Sequence, residues 1–263
     1  MKVQEIKSEY VIHVLKTLVF ILGVCFVANA YAQDTDTETR YIYTYHNKPP
    51  FIVDLNLKTG LYFDLAEYLS SKDPKRQYIT EYVPRKSLDR LIESKRLDGI
   101  VVGVNPLWFN DPEESRFLWL PGIYHDRDEF VSLPSTPFEY NGQDAYNGKS
   151  VAAVDGFYYV GINEAVAERY LDRINTIGEK QVLELVAKKR ADFGIVSASF
   201  YAYLQSIDAI KQDFHLSENP HDSFMRRAFV LQSEAALHSD LNSIMTSIAS
   251  DEEWLNILQK YQK

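Results

Sequence analysis

The chain has little cysteine, and its one thiol lies near the N-terminus. Cys25 is the only cysteine among 263 residues, so an internal disulfide framework is excluded. The sequence also lacks a Walker loop and the HExxH, GxSxG and CxxC motifs, which are signatures of nucleotide binding, zinc peptidases, serine hydrolases and thiol redox chemistry. The six scattered histidines show no spacing typical of a metal site. We therefore predict neither a metal nor another cofactor.

Positive charge is also scarce. The chain has 28 Lys and Arg residues against 37 Asp and Glu residues, a formal net charge of -9 at pH 7. Proteins that bind nucleic acids need basic surfaces to neutralise phosphates. This balance argues against a nucleic acid as a partner.

Long apolar runs are absent except for one near the N-terminus. Three lysines precede the apolar stretch 18–27, which is short for a membrane span, and small residues follow it. This pattern predicts a signal peptide over 1–32, cleaved near Ala30 or Ala32, and export to the periplasm. An uncleaved anchor is the alternative. The polar, acidic stretch 33–39 is predicted to be disordered.

One stretch of the sequence occurs twice. Leu91–Val102 and Leu185–Val196 both run from the end of an amphipathic helix through a basic pair to an aspartate and a short apolar segment. Apolar segments of this length are typical of strands buried on both faces. Two matching copies predict two α/β lobes of related plan, and the cleft between two lobes is a common ligand site.

The order of the elements predicts where the chain divides. We expect the first lobe to comprise residues 40–128 plus 222–263 and the second lobe to comprise 129–221. The chain would then cross twice between the lobes and form a two-strand hinge. The predicted fold is α/β and two-lobed, with a mixed sheet flanked by helices in each lobe, and the chain is expected to be monomeric.

Several element boundaries are predicted from local pattern alone. A helix is expected after Gly156, running to about Leu171, and a strand at Arg227–Leu231. Residues 214–216 are expected to form a strand that returns toward the first lobe. A helix is expected from about Glu234 to Ala249.

The chain resembles the bacterial extracellular solute-binding proteins of the amino-acid-binding type, over about residues 40 to 263. The segments that carry the resemblance are Pro49–Phe51, Gly60–Leu65, Leu97–Ile100, Trp119–Tyr124, Arg190–Asp192 and Trp254–Leu255. The resemblance implies the type II periplasmic-binding-protein fold and ligand capture between the lobes.

This chain departs from the family pattern at the positions that bind the ligand. Family members that bind amino acids carry a Thr-x-x-Arg run for the carboxylate and an aspartate for the ammonium. Here Asn105–Arg116 has no threonine, and Ser197 replaces the aspartate. The loss of both charge-assisted contacts argues against an ordinary amino-acid ligand. The candidate ligand-binding residues are Tyr45, Tyr62, Asn105, Trp108, Arg116, Tyr124, Phe157 and Ser197, with His46 and His125 near predicted strand ends at the cleft.

Three functions remain open from the sequence. The first is a periplasmic solute-binding protein that captures a small polar or aromatic-compatible metabolite for an ABC-type importer or a sensor, with an inner-membrane permease or sensor as its partner. The second is a periplasmic enzyme on the same scaffold, such as a dehydratase acting on prephenate or arogenate. The third is an adaptor that has lost its ligand and contacts a membrane partner. We expect the first and predict no catalysis.

Overall fold

The computed structural model describes residues 37–261. The predicted signal peptide lies outside these residues. None of the helices between Thr37 and Tyr261 is long and apolar enough to cross a membrane.

The first sheet is built mainly from the N-terminal part of the chain. Its strands are β1 (Glu38–Thr44), β2 (Arg76–Tyr82), β3 (Gly99–Val104) and β4 (Phe117–Trp119). β1 lies between β2 and β3 and is parallel to both. All six residues of β3 are buried, as expected for a strand covered on both faces.

The second sheet follows the same plan. Its strands are β5 (Tyr124–Ser132), β6 (Lys149–Val154), β7 (Leu171–Thr176), β8 (Phe193–Ser197) and β9 (His215–Leu216). β6 lies between β7 and β8 and is parallel to both, while β5 is antiparallel to β8. The five residues of β8 are buried, like those of β3.

Two long strands connect the sheets into one curled path of strands. β10 (Asp222–Leu231) pairs with β3 and β4 through its C-terminal half and with β5 through its N-terminal half. The path runs β2-β1-β3-β10-β5-β8-β6-β7. β5 and β10 are therefore the two hinge strands, and the pairing shifts between Arg227 and Ala228.

Helices cover both sheets. They are α1 (Leu61–Lys72), α2 (Arg85–Glu93), α3 (Ile162–Ala167), α4 (Glu179–Ala187), α5 (Ala198–Ser206), α6 (Ala235–Met245) and α7 (Glu252–Gln259). We call the first sheet with α1, α2, α6 and α7 the first lobe, and the second sheet with α3, α4 and α5 the second lobe.

Each sheet has an apolar core on both faces. Ile100 and Val102 of β3 join one cluster of buried residues, whereas Val101 joins the opposite one. Ile195 and Val196 of β8 divide in the same way. This division follows from strand geometry, since successive side chains point to opposite faces.

The two copies of the repeated stretch have the same local structure. Lys95 and Lys189 occupy matching places and both have a left-handed backbone, with φ of 54° and 56° respectively. In each copy the N–H of the next residue, Arg96 or Arg190, donates to the carbonyl five residues back. This hydrogen bond is the one that defines a Schellman motif at a helix C-terminus. The two copies therefore match in backbone conformation as well as in sequence.

Three predicted boundaries were wrong. The helix expected to reach Leu171 ends at Ala167, because Arg169 has a φ of 66° and the next strand begins at Leu171. β10 begins at Asp222 rather than Arg227, since it pairs with β5 before it reaches the first sheet. The helix expected to reach Ala249 ends at Met245.

Two further corrections concern sheet edges. Residues 38 and 39, assigned to the disordered stretch, lie in β1 because they pair with β2. The strand expected to return toward the first lobe, β9, instead pairs with β5 in the second sheet.

Candidate functional site

Charged side chains from both lobes and both hinge strands converge at the lobe interface. Lys48 follows β1, Asp126 lies on β5, Glu179 is the first residue of α4, and Arg226 lies on β10. All four are buried. Because buried charges are stable only when paired, their partners define the interior of the site.

Arg226 and Asp126 form an ion pair between the hinge strands. The Arg226 Nε and Nη2 atoms lie 2.8 Å from Asp126 Oδ2, and the two side chains are 2% and 1% exposed. Ser199 donates its backbone N–H and its hydroxyl to the same carboxylate. Although burial alone would raise the pKa of Asp126, Arg226 and Lys48 lower it below its ordinary value. Asp126 is therefore held as an anion.

Lys48 and Glu179 form a second ion pair, which joins the lobes. The Lys48 ammonium contacts the Glu179 carboxylate and donates to the Ser197 hydroxyl at 2.8 Å. Glu179 also accepts the Ser197 backbone N–H at 3.1 Å and begins α4, where the helix dipole favours a negative charge. One lysine from the first lobe is thus bound by two groups of the second.

His46 is buried beside these pairs and is neutral. Burial lowers the pKa of His46 well below its ordinary value, and Arg226 and Lys48 lower it further. Arg226 Nη1 lies 3.4 Å from His46 Nε2, and a guanidinium can only donate, so Nε2 is the acceptor and Nδ1 carries the proton. The buried Nδ1 has no hydrogen-bond partner among the described residues.

Asp128 lies two residues beyond Asp126 on the same face of β5. No donor between residues 37 and 261 reaches its carboxylate, although Lys48, Glu179, Arg226 and Asp126 influence it electrostatically. Burial raises the pKa of Asp128 to about 7, with Glu179 and Asp126 adding to the effect. Asp128 is the acid of this site without a hydrogen-bonded partner.

Aromatic rings form the wall of the site. Phe157 of the second lobe meets Tyr45 of the first lobe edge-on, with ring centroids 5.3 Å apart, and lies 5.7 Å from the His46 ring. Trp108 packs edge-on against Phe224 of β10 at 4.7 Å. Phe157 therefore fills much of the space between the lobes.

A small cavity remains among these groups. The inner cavity has a volume of about 20 Å³ and is lined by Tyr45, His46, Lys48, Trp108, Asp128, Phe157, Tyr158, Tyr159, Glu179 and Arg226. It is large enough for one water molecule. An outer pocket of about 120 Å³ shares Tyr45, His46, Lys48, Phe157 and Glu179 with it. The lobes are thus closed on a nearly filled cleft.

The candidate residues from the sequence fall into three groups. Tyr45, Trp108 and Phe157 line the inner cavity, and Ser197 binds Lys48 at its edge. Arg116 donates to the Phe109 carbonyl and lines a separate groove of about 620 Å³. Asn105 accepts the Leu107 N–H and so caps a 3-10 turn (Pro106–Phe109).

The other two candidates lie within the first lobe. Tyr62 is fully buried and stacks on Phe51 at 5.0 Å, and its hydroxyl has no hydrogen-bond partner among the described residues. Tyr124 meets the same Phe51 edge-on at 5.9 Å. Of the two histidines, His46 lines the inner cavity, whereas His125 is exposed.

The charged residues of the site were missed at the sequence level. Lys48 directly precedes the Pro49–Phe51 segment of the resemblance, and Glu179 lies six residues before the second copy of the repeated stretch, so both had usable signals. Asp126 and Asp128 lie two residues apart, the spacing of one face of a strand. Arg226 was hidden because the strand was expected to begin one residue later.

The site offers no metal centre. No group of three or more His, Cys, Asp or Glu side chains within residues 37–261 could hold a metal ion. The acids present are used in the two ion pairs or remain as the single Asp128 carboxylate.

Solved structures with the same fold are numerous. A mutant of ArgBP from T. maritima is similar with a TM-score of 0.69 and 15% identity, covering 86% of this chain and 96% of its own. The GluR0 ligand-binding core from Nostoc punctiforme, in complex with (L)-glutamate, has a TM-score of 0.67 and 13% identity, covering 84% and 98%. These likenesses confirm the two-lobed periplasmic-binding-protein fold.

A third similar structure is that of an ancestral binding protein described as the precursor of an enzyme. The ancestral amino acid-binding protein AncCDT-1, a precursor of cyclohexadienyl dehydratase, has a TM-score of 0.64 and 15% identity, covering 87% of this chain and 97% of its own. No family model and no curated protein sequence matches this chain. At such identities the structures establish the fold, and the ligand has to be inferred from the residues of the site.

Proposed function

We propose that this chain is an exported solute-binding protein that captures a small molecule between its lobes and delivers it to an ABC-type importer or a sensor. The observation that supports this most directly is the convergence of four buried charged side chains, from both lobes and both hinge strands, around one cavity. Such an interior is suited to a polar ligand, because opening the hinge exposes the charges and closing it desolvates them.

The solved structures support the same role by analogy. One of them, the substrate binding protein of an amino acid ABC transporter, has a TM-score of 0.63 and 17% identity, covering 85% of this chain and 98% of its own. We propose that the candidates lining the cavity, Tyr45, Trp108 and Phe157, contact the ligand, with Ser197 at its edge. Export with a cleaved signal peptide, a monomeric state and the lobe limits at residues 128–129 and 221–222 belong to the same proposal.

A thermal-shift screen of the purified chain against small metabolites tests this function. A ligand that binds only the folded chain stabilises it by about 2.7 kcal/mol at a concentration 100 times its Kd. Phe157→Ala should abolish or alter the shift for a true cleft ligand. Leu57→Ala is the control, because Leu57 is 73% exposed and lines neither the cavity nor the pocket.

A second function is favoured by the filled cleft. With about 20 Å³ left in the inner cavity, the chain's own side chains take the place of a ligand, as in an adaptor that contacts a membrane partner through one lobe. An adaptor would show no ligand-induced shift, either as the native chain or after Glu179→Gln removes the ion pair between the lobes. A shift in either protein supports solute binding.

The absence of catalysis remains our prediction. Incubation with prephenate or arogenate should give no product, and turnover of either would replace the binding role with an enzymatic one.

A further inference from the structure

The cations at the inner cavity are already paired with acids. Arg226 is bound by Asp126 and by the Gly103 carbonyl at 3.0 Å, and Lys48 is bound by Glu179 and Ser197. Arg85, which lines the outer pocket, donates to Asp89 and to the Trp108 carbonyl. The carboxylate of an incoming ligand would therefore find each of these cations occupied.

One anion at the inner cavity has no such partner. The cavity region holds Lys48 and Arg226 as cations and Asp126, Glu179 and Asp128 as acids, while His46 is neutral. Two of the acids are paired with the two cations. The Asp128 carboxylate is left over, and it accepts no hydrogen bond from residues 37–261. When Asp128 is ionised, the site has an excess of one negative charge.

Aromatic rings surround the same space. Tyr45, Trp108, Phe157 and Tyr159 all line the inner cavity with Asp128. The faces of such rings attract organic cations, and a cage of rings beside a carboxylate is a recurring way to bind an alkylated ammonium. The ring set and the unpaired acid thus favour the same ligand charge.

The volumes limit the size of the ligand. The inner cavity of about 20 Å³ admits one ammonium-sized group, and the adjoining outer pocket has about 120 Å³. A cavity of about 150 Å³ is enough to hold benzene. A molecule of a few heavy atoms therefore fits with its head in the inner cavity and its remainder in the outer pocket.

We propose that the inner cavity binds the ammonium head of a small organic cation without a carboxylate, with Asp128 as its counter-ion and Tyr45, Trp108, Phe157 and Tyr159 around it. His46 lines both spaces, and its Nδ1–H has no hydrogen-bond partner among residues 37–261, so an oxygen acceptor on the ligand would satisfy it. A short primary amino alcohol supplies both features. This proposal rests on the proposed function and names its ligand class.

Calorimetric titration of the native chain with ethanolamine and choline tests the class, with glycine and acetate as the zwitterionic and anionic comparisons. We expect binding of at least one of the two cations and none of acetate. Asp128→Asn should weaken cation binding by about tenfold or more, because it removes the counter-ion but keeps the shape. Asp172→Asn, which removes an exposed acid from β7, should leave it unchanged.

The number of protons released on ligand binding provides a second test, which needs no variant. Binding near pH 6 should release a proton from Asp128, seen as a dependence of the measured heat on the ionisation enthalpy of the buffer. The groups facing Asp128 are His46 and Lys48 from the loop after β1, Asp126 on its own strand, Asp222 and Arg226 on β10, and Tyr159 and Glu179 from the second lobe.

The outcomes separate this proposal from the function on which it rests. Binding of glycine or other solutes in the thermal-shift screen without binding of either cation overturns the ligand class and leaves solute binding intact. Cation binding that survives Asp128→Asn unchanged, or that releases no proton near pH 6, also overturns it. If no solute of any charge binds, the proposed function fails with it.

Discussion

At the scale of single residues, the Arg226–Asp126 pair is the most sensitive point of the structure. Both side chains are almost fully buried, so each depends on the other for its charge. Arg226→Met leaves Asp126 buried without its counter-ion and should lower the free energy of unfolding by about 3–5 kcal/mol. Urea denaturation at neutral pH measures this loss.

The matched control is an exposed ion pair between the lobes. Lys86 and Asp155 are 3.2 Å apart, with side chains 75% and 53% exposed. Because such pairs contribute about 0–1 kcal/mol, Lys86→Met should have little effect. A loss for Arg226→Met no larger than for Lys86→Met would contradict the importance of the buried pair.

Asp128 predicts a pH dependence of stability. Burial raises the pKa of its carboxyl to about 7, so the folded chain holds this proton more tightly than the unfolded chain does. The contribution is complete below the unfolded pKa and is lost as the pH rises through about 7. Relative to the native chain, Asp128→Asn should therefore be more stable near pH 8 than near pH 5. Urea midpoints at the two pH values measure the difference, and a constant difference would contradict the raised pKa.

At the scale of elements, each of the two Schellman helix ends has a lysine at a position where the backbone is left-handed. Lys95 and Lys189 have φ of 54° and 56°, a conformation that favours glycine. A glycine at 189 removes the steric strain of the left-handed conformation but makes the unfolded chain more flexible. Because the strain costs more free energy than the added flexibility, Lys189→Gly should stabilise the chain by about 0.5 kcal/mol. Thermal denaturation measures the gain.

The neighbouring residue supplies the control. Lys188 is also exposed but has a φ of -86°, where glycine brings only its entropy. Lys188→Gly should therefore destabilise the chain by about 0.5–1 kcal/mol. Equal effects at 188 and 189 would show that backbone strain does not limit this helix end.

Elements were predicted best where a pattern is local. Both copies of the repeat were placed correctly as helix then strand. Boundaries failed where a distant partner or a single backbone angle decided them. β10 is longer than its apolar run because β5 pairs with its polar half, and α3 is short because the backbone reverses at Arg169.

At the scale of the whole molecule, one buried ion pair holds the lobes together. Lys48 reaches from the first lobe to Glu179 and Ser197 of the second. Glu179→Gln removes the negative partner of a buried ammonium, and hydration of Lys48 then favours the open form. We expect a larger radius of gyration by small-angle X-ray scattering and stronger acrylamide quenching of tryptophan fluorescence.

Helix α4 supplies its own control for this experiment. Glu184 lies on the same helix, is exposed, and is 3.9 Å from Lys188. Glu184→Gln should therefore leave the scattering and the quenching unchanged. An unchanged radius for Glu179→Gln as well would mean that packing of Phe157, rather than the ion pair, holds the cleft closed.

The sequence by itself determined the two α/β lobes, because helix and strand periods and the duplicated stretch are written in neighbouring residues. It also predicted Tyr45, Trp108 and Phe157 as ligand contacts, and these three line the inner cavity, while their contact with a ligand stays a prediction. Only the tertiary structure decided the charges of the site. Lys48 and Glu179 are 131 positions apart, and Asp126 and Arg226 are 100 apart. Whether a charge is paired, buried or left over depends on which distant side chain folding brings beside it.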